Sequence, residues 1–208
     1  PAHPSASSLK GSSGGAVYLP DNLFAASGFR AVAFPNGMWT TASENLTDWH
    51  VSKHSEMNEN ASRLIPKHAA GNPGRNFGDN YAWLAEDKES VFVLAGGFSE
   101  EHGPQALLFQ STSLDLMEWK FVSTWYTGSV DDGTTVALNC PDAFPLGGNR
   151  WAFIWLAHPT WHRPWINIWM IGTVDPINKV FKMEHRGLAD QSSDFIAAQS
   201  LTWTDGRR

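Results

Sequence analysis

Short apolar or alternating runs follow one another along the chain, at residues 14–18, 29–34, 81–84, 91–94, 106–110, 151–156 and 166–171. Clusters of Pro, Asn, Asp and Gly separate them, at 20–22, 35–37, 131–133, 147–149 and 205–206. Brief apolar runs bounded by turn residues are the signature of strands. No stretch carries a helical stripe for more than a turn or two. The pattern predicts an all-β chain. Residues 1–12, rich in Ser, Ala, Pro and Gly, read as a flexible leader, with one domain over 13–208.

An internal repeat narrows the architecture. Ser43-Glu44-Asn45-Leu46-Thr47-Asp48-Trp49 aligns with Ser113-Leu114-Asp115-Leu116-Met117-Glu118-Trp119, and a weaker echo runs from Gly172-Thr173-Val174-Asp175 to Phe181. Each copy follows an apolar strand, turns on an Asn or Asp, and delivers an aromatic ring toward a neighbouring sheet. Repetition of one strand-rich unit predicts propeller blades rather than a β-sandwich. Asp48 and Glu118, inside the repeat, read as structural residues of these turns.

Composition then removes several classes of function. The 208 residues carry 15 Lys and Arg against 21 Asp and Glu, a formal charge of −6, so a nucleic-acid binder with a basic face is not expected. The longest strictly apolar run, Trp151 to Ala157, is far short of a membrane span, and no membrane partner is expected. No charged start leads into an apolar stretch, so no signal peptide is read here. A chain beginning at Pro1 reads as processed or as a fragment. A single cysteine, Cys140, rules out an internal disulfide framework. His158 and His162 are four apart, but Pro159 argues against the helix that would pair them on a metal, and neither metal nor cofactor is expected. Two sequons, at Asn45 and Asn60, are compatible with secretion. The unusual count is 11 Trp beside 12 Phe and only 3 Tyr. Most of these rings should pack between sheets, leaving two or three to face a ligand.

Four segments carry candidate chemistry: Ser13-Gly14-Gly15-Ala16, Phe77-Gly78-Asp79-Asn80-Tyr81, Asn139-Cys140-Pro141-Asp142-Ala143-Phe144-Pro145-Leu146, and Ser193-Asp194-Phe195-Ile196-Ala197-Ala198-Gln199 running on to Gly206-Arg207-Arg208. In order and spacing they resemble the Ser-Gly-Ser-Ala, Phe-Arg-Asp-Pro, Glu-Cys-Pro-Asp-x-Phe-Pro-Leu and Asp-Phe-Tyr-Ala-x-Gln segments of family 32 glycoside hydrolases, the invertases, fructanases and related β-fructofuranosidases. The resemblance implies a five-bladed β-propeller, of which about three blades' worth of chain is present, and a fructoside such as sucrose or a fructan as ligand. It implies secretion or a vacuolar location. It also implies that the missing blades come from the rest of a longer parent chain or from a partner.

Retaining glycosidases need two carboxyl groups about 5–5.5 Å apart, one a nucleophile and one a general acid/base. The resemblance places Asp79 at the family's third carboxylate, which holds the fructosyl hydroxyls and stabilises the transition state. Gly78 stands in place of the family's Arg and Asn80 in place of its Pro. Asn139 occupies the acid/base position, and an amide cannot deliver a proton to a leaving oxygen. Losing that help removes about 10²–10⁴ in rate. Asp142 is a poor substitute, because three residues along a strand place it on the opposite face. Asp131 and Asp132 are better placed to replace the lost acid. The family's nucleophile motif, Asn-Asp-Pro-Asn-Gly, has no counterpart in the chain; Phe34-Pro35-Asn36-Gly37 imitates it but reads as a hairpin turn. Ser13, Gly14, Phe77, Cys140 and Asp190 are the further substrate-binding candidates, with Asp194 beside them. Ile196 replaces a family Tyr, and Cys140 reads as a small buried side chain rather than a reactive thiol.

Three functions remain open on this reading. The first is a β-fructofuranosidase with impaired hydrolysis. The second is a non-catalytic fructoside-binding propeller, and the third a truncated fragment without independent function.

Overall fold

Val91, Val93 and Ala95 alternate with Phe92 and Leu94, yet all are apolar. A strand that is apolar on both faces must be covered on both. In the computed structural model this is what happens. It describes residues 14–19, 28–34, 38–52, 55–57, 64–65, 79–99, 102–129, 137–158, 165–190, 194–200 and 208. Val91, Val93 and Ala95 join one core with Val17, Val32 and Phe34, while Leu94 joins a second core with Phe153, Trp155 and Met170. The strand's sheet is the middle of three.

The first sheet contains β1 (Ala16–Tyr18), β2 (Ala31–Ala33), β3 (Trp39–Thr41) and β4 (His50–Val51). The second contains β5 (Tyr81–Leu84), β6 (Val91–Ser99), β7 (Gly103–Ser111) and β8 (Trp119–Thr127). The third contains β9 (Ala137–Gly147), β10 (Arg150–His158), β11 (Ile166–Val174) and β12 (Phe181–Leu188). Each is an antiparallel meander whose spatial order is its chain order. Three such four-stranded sheets, stacked in succession on two separate cores, are consecutive propeller blades.

The repeat is a structural repeat. Leu46 and Leu116 both take left-handed backbone, at φ 55° and 62°. Each amide bonds back to the carbonyl of Ser43 or Ser113 at 3.1 Å. The indole N–H groups of Trp49 and Trp119 both donate to the Leu46 and Leu116 carbonyls at 2.9 Å. The echo before Phe181 has the same logic, with Asp175 accepting from the amides of Ile177 and Asn178. The delivered ring then wedges against the preceding sheet. Trp119 meets Phe34 edge-on at 5.5 Å, and Phe181 stacks on Trp125 at 4.8 Å.

Several expectations change in detail. β3, β4, β8, β9 and β12 lie outside the apolar runs singled out in the sequence. Of the Trp rings in the described residues, Trp119, Trp125 and Trp155 are buried; Trp39, Trp49, Trp83, Trp151 and Trp169 are half-buried, and Trp165 is exposed. Phe34 is fully buried beside the connection between the antiparallel strands β2 and β3. The leader and residues 35–37, 131–132 and 159–164 lie outside the described residues.

Candidate functional site

Three of the four motif segments converge at the starts of the first strands of the three sheets. Just before β1, the Gly15 amide donates to the Asn80 carbonyl, and the Phe34 amide donates to the Gly15 carbonyl at 3.0 Å. A side chain at Gly15 would strike the backbone of Asn80 to Ala82. Only glycine permits that approach. Asn80 is fully buried, and its Nδ2 donates to the Phe34 carbonyl at 3.1 Å. Asn80, where the resembling family has Pro, thus ties the first sheet to the second.

Asp79 precedes this anchor with left-handed backbone, φ 55°, and is half-buried. Its carboxyl accepts a hydrogen bond from the thiol of Cys140. Cys140, on β9, is also left-handed at φ 45°. Burial first, then the Asp79 charge and hydrogen bond, push its thiol up to about 12. At that value the group is a buried donor and not a nucleophile. Gly96 on β6 completes the junction, because a side chain there would collide with the Leu138 carbonyl.

The backbone at Cys140 is a β-bulge. Asn139 pairs with Leu156 and Asp142 with Ile154, so three residues of β9 span two of β10. The extra residue cancels the alternation on which the exclusion of Asp142 rested. By register Asn139 and Asp142 share a face. Asp142 is withheld from substrate for a different reason: its side chain has no exposure. It accepts the Ser200 amide and pairs with Arg208 at 3.2 Å. Burial makes its carboxyl a weaker acid than an ordinary aspartate, with Ser200 and Arg208 pulling it partway back. Arg208 also donates to the Tyr81 hydroxyl and lies over the Phe144 ring at 4.1 Å.

The fourth motif segment lies against the same sheet. Asn167 on β11, 1% exposed, donates to the Phe195 carbonyl and accepts the Ala198 amide at 3.2 Å. With Asp142 holding Ser200, two buried polar side chains strap residues 194–200 to the third sheet. The exposed side chain of Ile196 stands on this strap.

Of the residues nominated from sequence, Gly14, Asp79, Asn139 and Cys140 are gathered at this junction. Asp190 is placed apart from them. It follows Ala189, whose amide bonds to Asn167, and Asn167 is separated from Asn139 by β10. Three strand spacings, roughly 14 Å, therefore lie between Asp190 and Asn139. Asp194 is exposed at the head of the strap. Ser13 and Phe77 lie outside the described residues. Sequence reasoning missed Asn80, Asp142 and Asn167 as organisers. A polar residue in apolar text is the signal that was available for Asn167. No group of three or more His, Cys, Asp or Glu among the described residues is arranged to hold a metal.

Comparisons with known proteins agree with this architecture. The model of the glycosyl hydrolases family 32 N-terminal domain matches residues 5–208. No curated protein sequence matches the chain. A β-fructofuranosidase from Aspergillus kawachii, solved with glycerol, is similar in structure at TM-score 0.55 and 14% identity, over 77% of this chain and 30% of that one. Fructan 1-exohydrolase IIa from Cichorium intybus is similar at TM-score 0.51 and 19% identity, over 84% and 32%. The chain thus spans about a third of the length of these two solved proteins. With three consecutive blades, the motif segments in register and a family model covering nearly every residue, the chain belongs to family 32 of the glycosyl hydrolases.

Proposed function

We propose that the chain forms the fructoside-holding part of a β-fructosidase-like glycoside hydrolase, with hydrolysis severely reduced by the amide at position 139. The observation that carries this reading is the convergence of Gly14-Gly15, Asp79-Asn80 and Asn139-Cys140 at one junction. Asp79 accepts hydroxyl protons of a terminal fructosyl unit. Its Cys140 partner and the buried Asn80 fix the direction of its carboxyl. The Asn139 side-chain amide donates a hydrogen bond to the glycosidic oxygen but delivers no proton to it. Asp142 does not replace it, being sealed under Ser200 and Arg208.

The test pairs binding with turnover. Calorimetry with fructose and fructo-oligosaccharides should give a saturable component of heat that disappears in Asp79→Ala. Sucrose and inulin hydrolysis should be feeble in the parent; where the rest of a longer parent chain supplies the nucleophile, Asn139→Glu should raise it toward the factor of about 10²–10⁴ that positioned proton transfer supplies. Parent turnover matching that of ordinary invertases would refute the impairment. Heat that persists unchanged in Asp79→Ala would remove Asp79 from the site.

A further inference from the structure

A cavity of about 880 Å³ opens between the second and third sheets, lined along β5 from Tyr81 to Leu84 and by Ala143 and Pro145 of β9. Its inner end reaches Tyr81 and Arg208, while its mouth lies at the far ends of the strands, five residues of chain from Asp79 at Leu84 and six from Asn139 at Pro145, roughly 17–20 Å. Neither Asp79 nor Asn139 lines it. Its size falls within the range of small-ligand pockets, which are mostly aromatic or apolar with a few polar groups.

The walls are two indoles from different sheets. Trp83 on β5 and Trp151 on β10 meet at 5.7 Å with their planes tilted by 57°, forming an open V. Phe92 backs Trp83 at 5.4 Å, and the buried Trp125 closes the floor beneath Trp151 at 6.3 Å. Trp83 and Trp151 are both half-buried. Trp83 also stacks on Tyr81 at 5.8 Å, yet it and Trp151, unlike the buried rings of this core, keep part of their surface exposed. Indole rings at a wet boundary present an apolar face with a polar N–H handle.

Three turns supply the rim. Glu86 and Asp87 come from the β5–β6 turn, Asn149 from the β9–β10 turn and Lys179 from the β11–β12 turn. Two carboxylates, an amide and an ammonium offer acceptors and donors together. Arg208, which also reaches the cavity, is already paired with Asp142. The two carboxylates oppose an anionic ligand, and the ammonium opposes a cation. A neutral molecule with apolar C–H faces and many hydroxyls matches both the V and the rim. We infer that this inter-sheet groove is a second carbohydrate site, binding a neutral oligosaccharide against Trp83 and Trp151. It stands independently of the reading of Asp79.

Tryptophan emission and calorimetry of the protein with 1-kestose and maltotriose test this, with tetramethylammonium and a proline-rich peptide as counter-probes. A neutral saccharide should produce a saturable response that survives in Asp79→Ala. That response should weaken about tenfold or more in Trp83→Ala, the loss expected when a central aromatic anchor is removed. If Trp83→Ala does not fold, the exposed rim variant Glu86→Ala/Asn149→Ala takes its place and should weaken the same response. Three results overturn the inference: no saturable response to either saccharide, a response abolished by Asp79→Ala, or a response confined to the counter-probes.

Discussion

The thiol of Cys140 donates to the carboxyl of Asp79 across the junction of the second and third sheets. Both residues hold left-handed backbone without being glycine, a conformation that costs each about 1 kcal/mol or more. Strain of this kind persists only where surrounding packing enforces it. Here the bulge of β9, the Gly96 contact and the Asn80 anchor do so.

The pair predicts a titration. Asp79→Asn removes a negative charge beside Cys140, so the thiol should fall from about 12 while staying above the ordinary range, because burial is the larger cause. Alkylation of the folded parent at about pH 8.5, where an ordinary thiol is half ionised, should be negligible. It should become measurably faster in Asp79→Asn as pH is raised further. Equal alkylation profiles for the two proteins would deny the contact.

Asp142 predicts a pH dependence of opposite character to a surface ion pair. Folding raises this carboxyl above 3.8, so the folded state binds its proton more tightly than the unfolded chain does. The contribution favours the fold below that pH and is lost as pH rises through the folded value. Thermal melting against pH in the mildly acidic range should therefore change between parent and Asp142→Asn. Relative to the variant, the parent should lose ground as pH increases. A parent that instead gains ground would mean that pairing with Arg208 outweighs burial.

Two adjacent glycines should respond unequally. A methyl group at Gly96 meets the Leu138 backbone, which cannot swing aside, whereas one at Gly97 meets the end of the Leu107 side chain at 2.6 Å. Gly96→Ala should cost about 1–3 kcal/mol or more in urea unfolding, and Gly97→Ala distinctly less. Equal costs would show that β9 shifts freely against β6.

The repeated turns allow one substitution with two outcomes. Leu46 is 40% exposed and Leu116 fully buried, although both occupy the same left-handed position. Asn tolerates that backbone better than Leu. Leu46→Asn should be neutral or stabilising by up to about 1 kcal/mol, since only backbone strain changes. Leu116→Asn should cost about 2–5 kcal/mol, because a core contact is lost with it. Chemical denaturation of the two variants decides the matter.

Much of this was written locally. Strand-type text, the Asn- or Asp-centred turn and the ring that follows it are short-range signals, and each folds the same way in every copy. The resemblance of four segments likewise needed no coordinates. Although Asn139 to Asp142 already read as strand, β9 is missing from the apolar runs because Pro141 and Pro145 interrupt its text. It is an edge strand, and its bulge accommodates the first of them. β12 escaped because Lys182, Glu184, His185 and Arg186 leave no apolar alternation, as suits the opposite edge, where charge discourages further pairing.

The sequence by itself determined the strand alphabet, the blade repeat and the family. Only the tertiary structure decided that Asp79 meets Cys140, that Asn139 and Asp142 share a face, and that Asp142 is sealed away under Arg208. The reason is one of range. Turns and alternation are set by neighbours within a few residues, whereas a one-residue bulge inverts everything beyond it, and burial of a carboxylate depends on partners as much as 66 positions away.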